Sequence, residues 1–260
     1  MKCFLIPVMF LVAVSNVNAQ DTAPELITDR PDQTESSSVV PVRTLQVESG
    51  FVTEFMETDR FKYREYAYNS TLLRYGLLDN AEIRIGLEYL GEKTISKTGD
   101  SLTTHHGFGP LYAGFKLQII REKGLLPEMA FLAGLGLPFI AGKDFKPSHS
   151  YADMRFSFSH TLSRLFSLGY NLGVEWNGEL AVPSYYYSAV LGIGITPRLG
   201  FFAEIFGLLP EDGNASHTMD GGFTFLLTPV LQLDISGGLG LNETASDNFA
   251  GCGFSYRLPR

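Results

Sequence analysis

Two adjacent histidines, His105 and His106, a serine beside a histidine at Ser159 and His160, and the carboxylates Glu204 and Asp220 are the side chains of this 260-residue chain whose types suggest chemistry. A histidine pair can start a metal site, but zinc wants three or four ligands, and no cysteine or acid stands at ligand spacing from His105-His106. Serine hydrolysis needs its serine and histidine on one surface. If residues 151–162 form a strand, Ser159 and His160 point to opposite faces. Glu204 and Asp220 have the composition of an acid–base pair, yet acids recur at the same phase along much of the chain, so the pair is unspecific. No phosphate loop or dinucleotide fingerprint is present. The expectation is a protein that is not an enzyme, with no catalytic residues, no cofactor and no metal.

The elements that must carry these residues are strands. Leu231 to Leu241 reads LQLDISGGLGL. Leu231, Leu233, Ile235, Leu239 and Leu241 share one face, and Gln232, Asp234, Ser236, Gly238 and Gly240 share the other. A period of two over this length predicts a strand with one apolar and one polar or empty surface. The pattern returns about twelve times, with short turns and longer polar loops in alternation, which predicts an all-β, transmembrane, antiparallel up-and-down β-barrel of the outer-membrane type over residues 44–260. Expected strands include Thr44–Phe55, Tyr63–Tyr75 and Pro110–Ile120, with Gly91–Gly109 as a long polar loop. In the second of these, Tyr66, Tyr68 and Tyr75 fall on both faces, which leaves its register open.

Charges cannot face lipid, so the polar phase must line the lumen. The expected lumen-lining residues are Glu82, Arg84, Glu88, Lys116, Arg155, Glu175, Glu204, Asp220, Asp234 and Arg257, with Glu48, Glu54, Arg74 and Asp153 in the same phase. Two readings apply to them: a cross-strand network that holds and partly fills the barrel, or a wetted path that selects solutes. The inner phase is also rich in glycine, including Gly86, Gly114, Gly173, Gly222, Gly238 and Gly253. Glycines there either open volume or relieve curvature.

Residues 1–19 read as a signal peptide, with Lys2, an apolar core from Phe4 to Val14 and a small-residue exit at Ala19. Cys252 is then the only cysteine of the mature chain, and no intramolecular disulfide forms. A net charge of −8 without a basic stripe argues against nucleic acid. Residues 20–43 lack the apolar content for a core and read as an extended segment, periplasmic or inserted into the lumen. They hold Asp29, Arg30, Pro31, Asp32, Gln33, Thr34, Glu35 and Ser36, whose charged members can pair with the wall.

DRPDQTES shortly after a signal peptide, followed by alternating strands to the end, resembles the outer-membrane transporter-like family named for the MetA pathway of phenol degradation. The resemblance implies hydrophobic or aromatic cargo. The combined expectation is a bacterial outer-membrane channel that passes small molecules passively, with outer-membrane lipid, a small-molecule solute and the barrel-assembly machinery as partners. The alternative is a structural or surface-binding barrel with a closed lumen.

Overall fold

The computed structural model describes residues 24–98 and 101–258; the expected signal peptide lies outside them. Among the described residues, thirteen β-segments follow one another: β1 (Leu45–Glu57), β2 (Phe61–Leu78), β3 (Ala81–Ser96), β4 (Ser101–Phe108), β5 (Leu111–Ile120), β6 (Glu128–Leu137), β7 (Tyr151–Thr161), β8 (Phe166–Trp176), β9 (Ser184–Gly194), β10 (Leu199–Pro210), β11 (Ser216–Thr228), β12 (Leu231–Gly240) and β13 (Asn248–Arg257). Neighbours pair antiparallel, and β13 returns to β1 to close the ring. β3 pairs with β5 through Ala81–Gly86 and with β4 through Tyr89–Ile95, so β4 and β5 occupy one position in the wall, broken at Gly109-Pro110. Proline has no N–H for the ladder, which explains the break. The wall is therefore a closed barrel of 12 strands.

The polar stretch Gly91–Gly109, expected as a loop, is instead the upper half of β3 turning back as β4. Hydropathy hid it because Glu92, Lys93, Thr94, Thr103, Thr104 and His105 are polar on both faces. A hairpin that stands above a membrane needs backbone pairing, and no apolar phase. β2 is also longer than expected, and the ambiguity of its tyrosines has a cause. A β-bulge interrupts its register with β3 between Ala67 and Asn69. The extra residue reverses the phase, so Tyr66 and Tyr68 face outward above the bulge and Leu73 and Tyr75 face outward below it.

Burial is inverted relative to a water-soluble domain. Arg74, Arg84, Lys116, Gln46, Glu48 and Glu82 are fully buried, while Ile83, Ile85, Phe115, Leu135, Phe156 and Ile235 are exposed. Transfer of those aliphatic faces into hydrocarbon is what holds such a wall in place. Most strands from β5 onward are 10–11 residues long, matching the roughly 9–11 tilted residues that cross a bilayer. Short connections at 79–80, 162–165, 195–198 and 229–230 share a rim with the start of β1 and the end of β13. The opposite rim carries 138–150, 177–183 and 241–247. Short turns mark the periplasmic side.

Several inner glycines do not leave open volume. A Cβ at Gly134 or Gly114 would meet the ring of Tyr112, one at Gly136 the ring of Tyr151, and one at Gly238 the ring of Phe249. The missing side chains make room for neighbouring rings that lie flat against the wall.

Candidate functional site

The lumen is occupied by the chain itself. Residues 24–43 enter at the periplasmic rim, cross the barrel and return to β1, making polar contacts with β1, β2, β3, β5, β6, β7, β8, β9, β10, β12 and β13 on the way. Arg257 of β13 holds the entry by donating to the carbonyls of Pro24 and Glu25. At the exit, the Arg43 amide donates to the Gly76 carbonyl at 2.7 Å.

The centre of this arrangement is Asp29. Its carboxylate lies 3.0 Å from Arg74, 2.5 Å from Arg84 and 2.9 Å from Lys116, and it accepts from the Ser36 amide at 2.9 Å. Arg74 also binds Glu48 at 2.9 Å and Glu82 at 2.8 Å, and Arg84 takes Glu35 through two bonds of 2.9 and 2.7 Å. The wall alone thus brings three cations against two carboxylates, Glu48 and Glu82. Asp29 and Glu35 add two more, so four carboxylates close around three cations, and removing one partner from a buried ionic group of this kind is costly. Burial by itself would raise the carboxyl of Asp29, but Arg74, Lys116 and Arg84 outweigh it and hold the group well below the usual range.

Arg30 turns the other way and pairs with Asp234 of β12 at 3.0 Å. Its guanidinium rests where side chains of Gly50 and Gly253 would otherwise stand, and these two glycines are cross-strand partners at the β1–β13 seam. Valine at Gly50 is expected to expel Arg30 from this seat, at the roughly 1–3 kcal/mol typical of overpacking. Single-channel current in a planar bilayer checks this: the variant should show more frequent opening than the parent, and an unchanged record would sink the assigned role of the seat.

Beyond Pro31, Glu204 of β10 accepts from the Gln33 amide at 2.7 Å and from the Thr34 hydroxyl at 2.5 Å. Asp220 faces Glu204 across the β10–β11 ladder, and its two carboxylate oxygens are buried without a hydrogen-bond partner among the described residues. Asp32 joins this acidic corner. Burial lifts its carboxyl well above the usual range, and the charges of Glu204, Asp220 and Asp29 raise it further. The Glu35 carbonyl accepts from Asn171 at 3.0 Å and Ser157 at 2.5 Å, Ser37 and Ser38 reach Glu128 at 2.8 and 2.6 Å, and the Val40 amide reaches Glu82 at 2.7 Å.

Of the residues expected in the lumen, Glu82, Arg84, Lys116, Glu204, Asp234 and Arg257 touch the inserted segment, and Asp220 backs it. Arg155, Glu88 and Glu175 lie nearer the exterior. Arg155 is 3.6 Å from Asp153 and covers the ring of Tyr186 at 4.6 Å, Glu88 accepts from Ser70 at 2.8 Å, and Glu175 stands opposite Asp153 in the β7–β8 ladder. The uncharged partners Asn171, Ser157, Ser188 and Tyr186, and Glu128 at the start of β6, were not among the expected site residues. Their inward phase was the only signal available, and it does not separate a lining residue from one that grips another segment. The other chemical candidates are dispersed. Ser159 faces the lumen and meets Ser37 at 2.7 Å, whereas His160 stacks on Tyr170. His105 lies 3.3 Å from Asp144, and no group of three metal-ligating residues forms among the described residues.

The inserted segment divides the interior. On the exterior side lies a cavity of about 810 Å³, bounded below by Arg30, Asp32 and Glu35 and lined by Glu54, Glu65, Glu92 and Phe249 among others. On the periplasmic side lies one of about 370 Å³, reached by Pro24, Val39, Asp79 and Arg257. Glu54, Glu65 and Glu92 are consecutive cross-strand partners on β1, β2 and β3, so the outer cavity carries an acidic row.

A closed wall with an apolar exterior and an ion-paired segment across a lumen that is hollow on both sides defines a membrane-spanning β-barrel of the outer-membrane type. The chain belongs to the family described as "Putative MetA-pathway of phenol degradation", whose sequence profile matches residues 28–258. In fold it is similar to an outer membrane channel from Pseudomonas putida F1, at 13% identity over 85% of this chain and 98% of that chain, with a TM-score of 0.67. It is also similar to the translocator domain of the autotransporter NalP from Neisseria meningitidis (9% identity, 84% and 90% coverage, TM-score 0.54). The NanC porin is a third such fold (10% identity, 82% and 100% coverage, TM-score 0.51). No curated protein matches the chain in sequence.

Proposed function

We propose that this barrel passes small molecules across the outer membrane down their gradients, with residues 24–43 acting as a resident plug whose displacement opens the path. The observation that carries this reading is the pair of cavities, about 810 and 370 Å³, separated by one segment of the same chain. A barrel built only as a scaffold gains nothing from hollow ends, whereas a solute path requires them. The acidic row at Glu54, Glu65 and Glu92 makes the outer cavity unfavourable to anions and leaves it to neutral and cationic solutes. Small aromatic compounds suit the lining, which sets rings such as Phe249 beside carboxylates, and the family's description in terms of phenol degradation supports that class. Transport of this kind needs neither catalysis nor energy coupling. The apolar outer wall binds outer-membrane lipid, and insertion is assigned to the barrel-assembly machinery.

The test is single-channel recording of the detergent-purified mature chain beside a chain that begins at Thr44. The mature form should show rare, short openings and the shortened form sustained current, with a reversal potential that favours cations. Silence from both, with the barrel intact on a heat-shift gel, overturns the proposal in favour of a closed barrel that presents its outer loops.

A further inference from the structure

The β-hairpins that rise above the barrel have two differently charged faces. Glu54, Glu65 and Glu92 point into the lumen. The other phase of the same strands carries Lys62, Arg64 and Lys93, with Lys97 at the turn that follows β3. Lys62 and Lys97 share one carboxylate, Glu57, at 3.3 and 3.0 Å. Arg64 and Lys93 share none: they are direct cross-strand partners, and neither forms an ion pair with a described residue. Cross-strand partners set their Cβ atoms roughly 4.5–5.5 Å apart, and like charges at that separation destabilise a sheet. Glu54, Glu65 and Glu92 are on the other side of the wall, Glu57 is taken by Lys62 and Lys97, and Arg64 meets the face of the Phe55 ring, at 5.9 Å.

The position of this uncompensated pair is specific. On the same outward face, directly below, a run of rings joins the strands: Phe51 contacts Tyr66 and Tyr68, Tyr68 contacts Tyr89, and Tyr89 contacts Phe108, with centroids 5.2–6.5 Å apart. Outward-facing aromatic rings mark the boundary between hydrocarbon and head groups. Arg64 lies two residues beyond Tyr66 and Lys93 four beyond Tyr89, which at about 3.4 Å per residue places the cations roughly 7–14 Å above the rings. This rim faces the cell exterior, so the anions within reach are the head groups of the outer leaflet. Arginine and lysine side by side, without a protein carboxylate between them, suit a phosphate.

We propose that Arg64 and Lys93, flanked by Lys62 and Lys97, form a binding site for the phosphorylated head group of an outer-leaflet glycolipid, whose acyl chains lie against the rings of Tyr66, Tyr68 and Tyr89. The lipid phosphate supplies the negative charge that the sheet omits, and the upper hairpins are complete only in the membrane. A free phosphate would satisfy the cations but not the ring surface below them, so the occupant is a lipid.

The experiment measures thermal unfolding of the full mature barrel in detergent with diphosphorylated lipid A, with dephosphorylated lipid A, or with inorganic phosphate at matched concentration. Only the phosphorylated lipid is expected to raise the Tm of the parent protein. The double variant R64Q/K93Q should melt at or above the parent without lipid, because a repulsive pair has been removed, and should bind phosphorylated lipid A at least tenfold more weakly. Native mass spectrometry counts the retained lipid in both proteins. Equal stabilisation by dephosphorylated lipid A, an equal effect of phosphate alone, or undiminished lipid binding by a variant whose gel shift shows a folded barrel would each overturn the proposal.

Discussion

Replacing Asp29 by alanine is expected to open the lumen while leaving the barrel folded. Asp29 is the one side chain of the inserted segment that meets Arg74, Arg84 and Lys116 together. Without it, three buried cations face Glu48, Glu82 and the more peripheral Glu35. Removing one partner from a buried ionic group costs about 3–5 kcal/mol, and each 1.4 kcal/mol is a factor of ten. The ratio of docked to released plug should therefore fall by about two to four orders of magnitude. The ladder from β1 to β13 does not depend on the segment, so heat-modifiable migration should persist while mean open time in bilayers rises. Asparagine at the same position keeps the shape and removes the charge, and should act in the same direction. If both variants record like the parent, Asp29 is not what holds the segment in place. Loss of the folded band in both would instead make the segment part of the barrel's own core.

The second large effect concerns pH and rests on Asp32. The docked segment holds this carboxyl among Glu204 and Asp220, with no ion pair to a described residue, and burial followed by those charges raises it well above its ordinary range. A group whose docked value is raised keeps its proton more readily docked than released. Its docking is therefore unaffected below the ordinary aspartate value and weakens progressively as pH rises through the interval up to the docked value. The slope is at most about 1.36 kcal/mol, or tenfold, per pH unit for a single group. Asp29 has the opposite sign: its lowered value contributes docking strength above the ordinary range, lost only as pH falls through the depressed value. The plug should thus sit most firmly in mildly acidic conditions and release more often toward alkaline pH. Open probability measured from pH 5 to 8 is expected to climb in the parent and to climb less steeply in D32N, where Glu35 of the same segment, pushed up to about 7 by burial, still titrates. Identical slopes for the two would remove Asp32 as the source.

Much of the wall was legible in the residues. Alternation in segments such as LQLDISGGLGL identifies a strand and both of its faces without reference to any partner, because the side-chain period is a property of the extended backbone itself. The orientation followed from loop lengths, and the inward phase of Glu82, Arg84, Lys116, Glu204, Asp234 and Arg257 followed from the cost of a charge in lipid. The upper hairpin of β3 and β4 was not legible, since its polar faces carry no alternation. The doubled phase of β2 became intelligible only through a bulge, which leaves no mark in composition.

What the sequence determined by itself is a barrel wall, because each strand must solve the same local problem of hiding backbone and charge from hydrocarbon. What only the tertiary structure decided is how the lumen is filled: Asp29 against Arg74, Arg84 and Lys116, Arg30 in the seat of Gly50 and Gly253, and Asp32 in the acidic corner of Glu204 and Asp220. Arg30 and its ion-pair partner Asp234, for example, stand 204 positions apart in the chain. A charge in the inward phase announces only that it needs a partner. Closure of the ring brings eleven other strands within reach of each one, and distance in space, which no periodicity encodes, selects among them.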